Sequence, residues 1–334
     1  MKGRIEVAVL LATYNGAQFI DQQLRSLKEN STPFTLHWLD DHSTDNTREV
    51  VRRVSENEDI ELREWHQSQH EGLPGVFFRL LENAQADIYL FCDQDDIWQR
   101  GKIDATVSTL RPDLDLPAIC FSDPIAFNND DPDQRYRVLD MLKTTPEVAM
   151  REGRVFTPVV GYGHTEGFTR PLRDLFMKHK DIARTHAFMH DTWMYAIGAA
   201  SGRAKLMLGV PTTLFRRHGD SVGRDYYGWK GRSRGRMIMT WRQHQKNRLV
   251  SARHAEGFIL AAPTLPPGPS LERILEVARL VATLDRRQSP VAVMRLARRG
   301  ILWPEWRLAL TLAVTCLWSD APTPSPQTSP TAVT

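Results

Sequence analysis

The chain alternates short, uninterrupted apolar runs with stretches in which apolar residues recur every three or four positions. Val7-Ala8-Val9-Leu10-Leu11 has no polar alternation, as expected of a parallel strand buried on both faces. Ile20, Leu24 and Leu27 follow at i, i+4 and i+7, one face of a helix. The pattern then repeats. Phe34 to Leu39 predicts a strand, and Asn46 with Glu49 resembles a capping box opening a helix with Val50, Val51 and Val54 inward. Ile60 to Trp65 predicts a third strand, and the Gly72–Gly75 turn leads to a helix carrying Phe77, Leu80, Leu81 and Ala84 on one face. Tyr89 to Cys92 reads as a buried strand, Lys102 opens a helix with Ile103, Val107 and Leu110, and Ala118 to Phe121 is a further strand. This spacing predicts an α/β fold with a mostly parallel sheet and helices on both faces.

Beyond Asn128 the pattern weakens. Asn128 to Arg135 reads as an acidic, Pro-containing loop, Val138 to Glu152 as a helix, and Gly161 to Arg170 as a Gly-rich polar segment. His190 opens a helix ended by Gly202, Lys205 to Leu208 predicts a strand, and Leu271 to Leu284 a helix. From Arg224 to Arg253 nine Lys or Arg stand against one acid, with Trp229 and Trp241 interleaved. The expected organisation is an α/β domain over 1–223, a basic, aromatic-rich and mainly helical extension over 224–320, and a disordered Pro/Thr/Ser tail over 321–334.

Composition adds little to this picture. The 334 residues, 25% of them charged with a net charge of +3, describe an ordinary globular chain. Cys92 and Cys120 fall in apolar runs, and with Cys316 they lack metal-ligand spacing, which fits a reduced compartment. The start of the chain reaches a strand at once, without a signal-peptide pattern, and no apolar run reaches about 18 residues, so a cytoplasmic protein without a transmembrane helix is expected.

The chemistry gathers at the ends of the strands. Three predicted strands run into polar clusters: Ala12-Thr13-Tyr14-Asn15-Gly16, Asp40-Asp41-His42-Ser43-Thr44-Asp45, and Asp93-Gln94-Asp95-Asp96-Ile97-Trp98. In an open α/β sheet these ends share one edge, where ligands bind. Asp93, Asp95 and Asp96 repel one another, and an oxygen-only set of this kind suits Mg²⁺ or Mn²⁺ shared with phosphate oxygens. A solvated acidic turn with capping duties is the plainer alternative for the same residues, and helix capping is the plainer one for Asp40 and Asp41.

Together with His190-Asp191-Thr192-Trp193 and Arg217-His218-Gly219-Asp220-Ser221-Val222-Gly223, these segments make the chain resemble an inverting family 2 glycosyltransferase of the GT-A fold, in its rhamnosyltransferase-like branch. The resemblance covers about residues 5 to 225. Two positions depart from the family pattern: Arg100 and Gly101 stand where Pro and Asp are usual, and Gly163-His164-Thr165 replaces Gly-Cys-Thr, with Glu166 after it. The resemblance implies a nucleotide-sugar donor held by Ala12, Thr13, Tyr14, Asn15, Asp41, Asp93, Gln94, Asp96, Trp98 and Lys102, with Asp41 accepting from a pyrimidine N3–H. It implies Mg²⁺ or Mn²⁺ on Asp95 and His218, and Asp191 as the general base. The implied reaction moves a sugar from dTDP-L-rhamnose or a UDP-sugar to a saccharide or lipid-linked saccharide in bacterial surface polysaccharide (O-antigen) synthesis.

Two alternatives stay open at this level: a non-catalytic binding or scaffolding protein on the same frame, and a nucleotidyltransferase, whose Gly-rich phosphate loop after the first strand is absent. For the basic stretch a peripheral place at the cytoplasmic face of a membrane is expected, since each basic residue near anionic lipid gains about 1 kcal/mol. Nucleic acid is not expected as a partner, and a solvated helical face is the plainer competitor.

Overall fold

The computed structural model describes residues 4–128, 131–141, 145–146, 150, 155–156, 161–218 and 249–283. The basic stretch up to residue 248, with Trp229 and Trp241, and the 321–334 tail lie outside them, as do Cys316 and residues 219–223 of the last motif.

Strands β1 (Val7–Thr13), β2 (Thr35–Asp40), β3 (Leu62–Trp65) and β4 (Ile88–Cys92) alternate with helices α1 (Ile20–Leu27), α2 (Thr47–Asn57) and α3 (Gly75–Asn83). Strand β5 (Ile97–Trp98) and helix α4 (Lys102–Leu110) lead to β6 (Ile119–Ser122), β7 (Ile125–Asn128), β8 (Asp131–Arg137) and the short helix α5 (Val138–Met141). Then come β9 (Gly167–Thr169), α6 (Arg170–Lys178), α7 (Lys180–His186), α8 (His190–Ala200), β10 (Ala204–Met207) and β11 (Thr213–Arg217). Helix α9 includes residues 249–261, and α10 is Leu271–Ala282.

Seven strands form the main sheet in the order β10-β6-β9-β4-β1-β2-β3. All neighbours are parallel except β9, which lies antiparallel between β4 and β6. The fold is therefore the mostly parallel α/β sheet that the sequence predicts. Val7, Val9 and Leu11 pack with Ile20, Leu24 and Val54 on one face, while Ala8 and Leu10 pack with Phe77, Leu81 and Trp193 on the other. Burial on both sides is why β1 shows no polar alternation. Register then builds the site: Thr13 lies beside Asp40, and Leu11 beside both Trp38 and Cys92. The three polar strand ends therefore meet at one edge.

A second sheet, β5-β11-β7-β8, sits after the central acids and brings Arg216 and Arg217 back toward them. Helices α9 and α10 bury Ala252, Phe258, Ile274 and Val281 in the same core as Trp193 of α8. The described part of the C-terminal stretch thus completes the core beneath α8.

Three local expectations are corrected. Asn46 makes no capping side-chain bond; Asp45 accepts from both the Thr47 amide and hydroxyl instead. Residues 131–137 are a strand, because polar Asp131–Arg137 pairs with β7 through its backbone and needs no apolar pattern. Within the Gly-rich segment, Gly167–Thr169 is a strand, and a Cβ at Gly167 would stand 2.3 Å from Thr106 Cγ2, so glycine permits that close packing.

Candidate active site

A cleft of about 750 Å³ opens at the strand-end edge. Ala12, Thr13, Tyr14, Asn15, Asp41, Asp93, Gln94, Asp95, Asp191 and His218 all line it. Of the residues singled out from the sequence, Asp96, Trp98 and Lys102 do not.

The first wall is laced by side chain–backbone bonds. Gln94 Oε1 accepts from the Tyr14 amide at 2.9 Å and its Nε2 donates to the Tyr14 carbonyl at 3.0 Å, joining the loops after β1 and β4. Asn15 adopts a positive φ of 47°, and its Oδ1 accepts from the Thr44 amide at 2.8 Å. Asp40 accepts from Thr13 Oγ1, Ser43 and Arg48, an internal strut. Asp41 is likewise engaged: it accepts from Gln67 Nε2 and from the amides of Glu71 (2.9 Å) and Gly72 (2.7 Å), and His70 Nδ1 lies 3.0 Å from Oδ2. A pyrimidine N3–H would compete with the three N–H donors of Gln67, Glu71 and Gly72 for Asp41. His70, which no sequence pattern marked, also lines the cleft, its ring centroid 4.8 Å from that of Tyr14.

The acids after β4 diverge in role. Asp95 Oδ2 stands 2.8 Å from His218 Nε2, so β11 delivers the histidine that the sequence paired with this acid. Asp93 is pushed up to about 8 by burial and by the neighbouring charges of Asp95 and Asp191. Asp96 turns away from the cleft. Its Oδ1 accepts from the Arg216 amide at 3.0 Å, its Oδ2 faces His164 Nδ1 at 3.3 Å, and burial lifts it well above its ordinary range. Arg216 also donates through Nε to the Asp95 carbonyl at 2.8 Å, clamping β11 to the acidic loop. Asp96 is therefore a strut between the two sheets.

The described residues form no cluster of three or more His, Cys, Asp or Glu able to hold a metal by itself. The Asp95–His218 pair still fits a divalent ion, because Mg²⁺-type ions take one or two protein ligands and complete their shell with water and substrate phosphate. The crowding of acids that raises Asp93 is the kind a cation relieves.

Asp191, at the start of α8, is held between two amides: Gly163 N–H donates to Oδ2 at 2.9 Å and Thr192 N–H to Oδ1 at 2.6 Å. Burial nevertheless pushes it up to about 6, and the two amides offset part of that rise. A carboxylate poised near neutrality, with its orientation fixed from both sides, has the properties of a general base. Gly163 is required where it stands, since a Cβ there would lie 2.8 Å from His190 Nε2 and 3.4 Å from Asp191 Cβ.

Behind the wall, Trp98 and Lys102 form a buried layer. Both were expected to contact the donor. Instead the Trp98 ring sits in the core with Lys102 Nζ 3.3 Å from its centroid, and the ammonium donates to the His164 carbonyl at 2.6 Å. The first residue of α4 points inward here, a direction that residue type alone cannot reveal. His190, unmarked in the sequence beyond its place before Asp191, stacks on Phe77 at 3.9 Å, and burial lowers it to about 3, so it is a neutral ring.

Comparison with known proteins bears on the fold and the family. The chain is 24% identical over 269 residues to the dTDP-rhamnosyl transferase RfbG of Shigella flexneri, covering 75% of this chain and 86% of that protein. TarS of S. aureus, solved with UDP, superposes with a TM-score of 0.54 at 16% identity, covering 94% of this chain and 81% of that one. The mannosyltransferase PcManGT from Pyrobaculum calidifontis, solved with GDP-Man and Mn²⁺, does so at 0.55 and 19% identity, covering 96% and 89%. Both solved structures share the fold. The model of Glycosyl transferase family 2 matches residues 8–175, half of the chain, and the protein therefore belongs to that family: it is a glycosyltransferase.

Proposed function

We propose that this glycosyltransferase moves a sugar from a nucleoside-diphosphate donor, dTDP-L-rhamnose or a UDP-sugar, to a hydroxyl of a saccharide or lipid-linked saccharide, with inversion, in bacterial surface polysaccharide synthesis. The observation that carries the reading is one cleft lined at once by Asp95 with His218 and by Asp191. Transfer needs two things together: relief of charge on a departing diphosphate and removal of a proton from the attacking hydroxyl. Asp191, ionised above about pH 6, takes that proton, and the two amides keep its oxygens oriented as it does so. Gln94 holds the loops after β1 and β4 together, which fixes the cleft wall against which base and ribose lie. A divalent ion on Asp95 and His218 would supply charge neutralisation for the leaving diphosphate. The relative named as a dTDP-rhamnosyl transferase and a putative teichuronic acid biosynthesis glycosyltransferase, TuaG of Bacillus subtilis (29% identical over 102 residues, 29% of this chain and 39% of that protein), support the surface-polysaccharide setting.

The acceptor setting also proposes where the protein works. No helix among the described residues is long and apolar enough to cross a membrane. The basic, Trp-containing stretch would instead attach the chain peripherally to anionic lipid at the cytoplasmic face, beside a lipid-linked acceptor. A panel of nucleotide-sugars with Mg²⁺ or Mn²⁺, read first as thermal stabilisation and then as metal-dependent release of the nucleoside diphosphate, tests the donor assignment. Stabilisation by one donor, with release that needs metal and acceptor, is expected. Stabilisation by none, or release indifferent to EDTA, would contradict it.

A further inference from the structure

Among the described residues, Lys102 is the one lysine in the set of largest fully buried side chains. An ammonium is costly to desolvate, and burial lowers it to about 7. Among the described residues its direct partners are a ring and a carbonyl, with no carboxylate in bonding contact. A methionine would fill the same volume against Trp98 at less cost. The charge is favoured by the nearby acids Asp96 and Asp93, and the hydrogen bond it makes goes to that carbonyl.

That carbonyl belongs to His164, in the tight turn 163–165. Thr213 Oγ1 donates to it as well, at 2.7 Å, so both of its lone pairs are taken from below. The turn is closed by the Thr165 amide on Tyr162 O (2.7 Å) and the Glu166 amide on Gly163 O (2.9 Å). Two peptide units back along the turn, the Gly163 amide donates to Asp191 Oδ2. An unbroken path of short bonds therefore runs from α4 and β11, through the turn, to the carboxylate.

We propose that Lys102 is a positioning residue for Asp191, acting through the His164 carbonyl and the Gly163 amide, and is not a donor ligand. The inference rests on Asp191 being the base. Without the ammonium, the turn loses its charged anchor and the Gly163 amide its aim, and a base misplaced by a fraction of an ångström loses rate without losing donor affinity.

The experiment is a double-mutant cycle on the full chain. K102M should lower the kcat for sugar transfer roughly 10–100-fold, with the Kd for the nucleotide-sugar and metal within about twofold of wild type. In a D191N background the same substitution should be nearly silent, because the group it positions is already gone. A loss that repeats undiminished in D191N, a kcat at the wild-type level, or a weakened donor Kd that accounts for the loss would each overturn the proposal. Should K102M fail to fold, T213V, which removes only the second donor to the same carbonyl, is decisive: a kcat loss of roughly 3–10-fold that vanishes in D191N is expected, and no loss, or one that multiplies, overturns it. Wild-type turnover in D191N alone would overturn the base assignment and this inference with it, whereas multiplication of the two losses overturns the inference only.

Discussion

Replacing Asp191 with Asn separates catalysis from stability. The Asp191 carboxyl is raised from the unfolded value of about 4 to about 6, chiefly by burial. Its folded value lies above its unfolded one, so the folded state holds the proton more tightly. Stability is greatest below about pH 4, and about 3 kcal/mol is lost as pH rises to and past about 6. Asn cannot ionise and escapes that loss. It pays elsewhere, because the carboxylate accepts from two amides and an amide side chain accepts well from only one. Turning an NH₂ toward the second donor costs about 1–3 kcal/mol. At pH 7 these nearly cancel, so D191N should melt within a few degrees of wild type. Turnover should still fall by roughly 10²–10⁴, with donor affinity largely kept. The wild-type kcat should drop about tenfold per pH unit below about 6, a limb that D191N should lack. Steady-state kinetics from pH 5 to 8, donor titration calorimetry and a melting curve on both proteins check all three. If donor affinity collapses while turnover holds, Asp191 is a binding residue and the reasoning is refuted.

Asp95→Ala should cut transfer by roughly 10²–10³-fold and remove its response to added Mg²⁺ or Mn²⁺, with the melting temperature unchanged, since this part-exposed carboxylate braces little beyond His218; an EDTA titration of both proteins checks it. Gly163→Ala should lower kcat roughly 10–100-fold with donor binding intact, because the new Cβ crowds His190 and Asp191; a kcat within twofold of wild type would show that the base tolerates the shift. Reversing charge at Arg232, Arg234 and Arg236 should reduce co-sedimentation with anionic vesicles at low salt and leave neutral vesicles indifferent; equal partitioning of wild type to both would leave these arginines as a solvated face.

Much of this was legible in the residues, and the illegible part has physical causes. Strands β1 and β4 announce themselves because burial on both faces demands continuous apolar runs. Strand β5, two residues long, and β9, three residues around one Phe, are too short to carry a period. Strand β8 is polar and held by backbone pairing, so its sequence reads as a loop. In the site, acids gathered at strand ends mark the cleft, since topology brings those ends together whatever the loops do. Direction was hidden. Nothing in the sequence shows Lys102 turning inward to a carbonyl, Asp96 serving the Arg216 amide, or Asp41 being taken up by the amides of Glu71 and Gly72. Each depends on backbone groups far along the chain.

The central claim is a single displacement, with Asp191 on the acceptor side and the diphosphate leaving on the metal side of one cleft. The anomeric configuration of the product tests it most directly. With the donor identified by the stabilisation panel, proton NMR of the product formed by the wild-type protein should show the configuration opposite to that of the donor. Retained configuration would contradict the account.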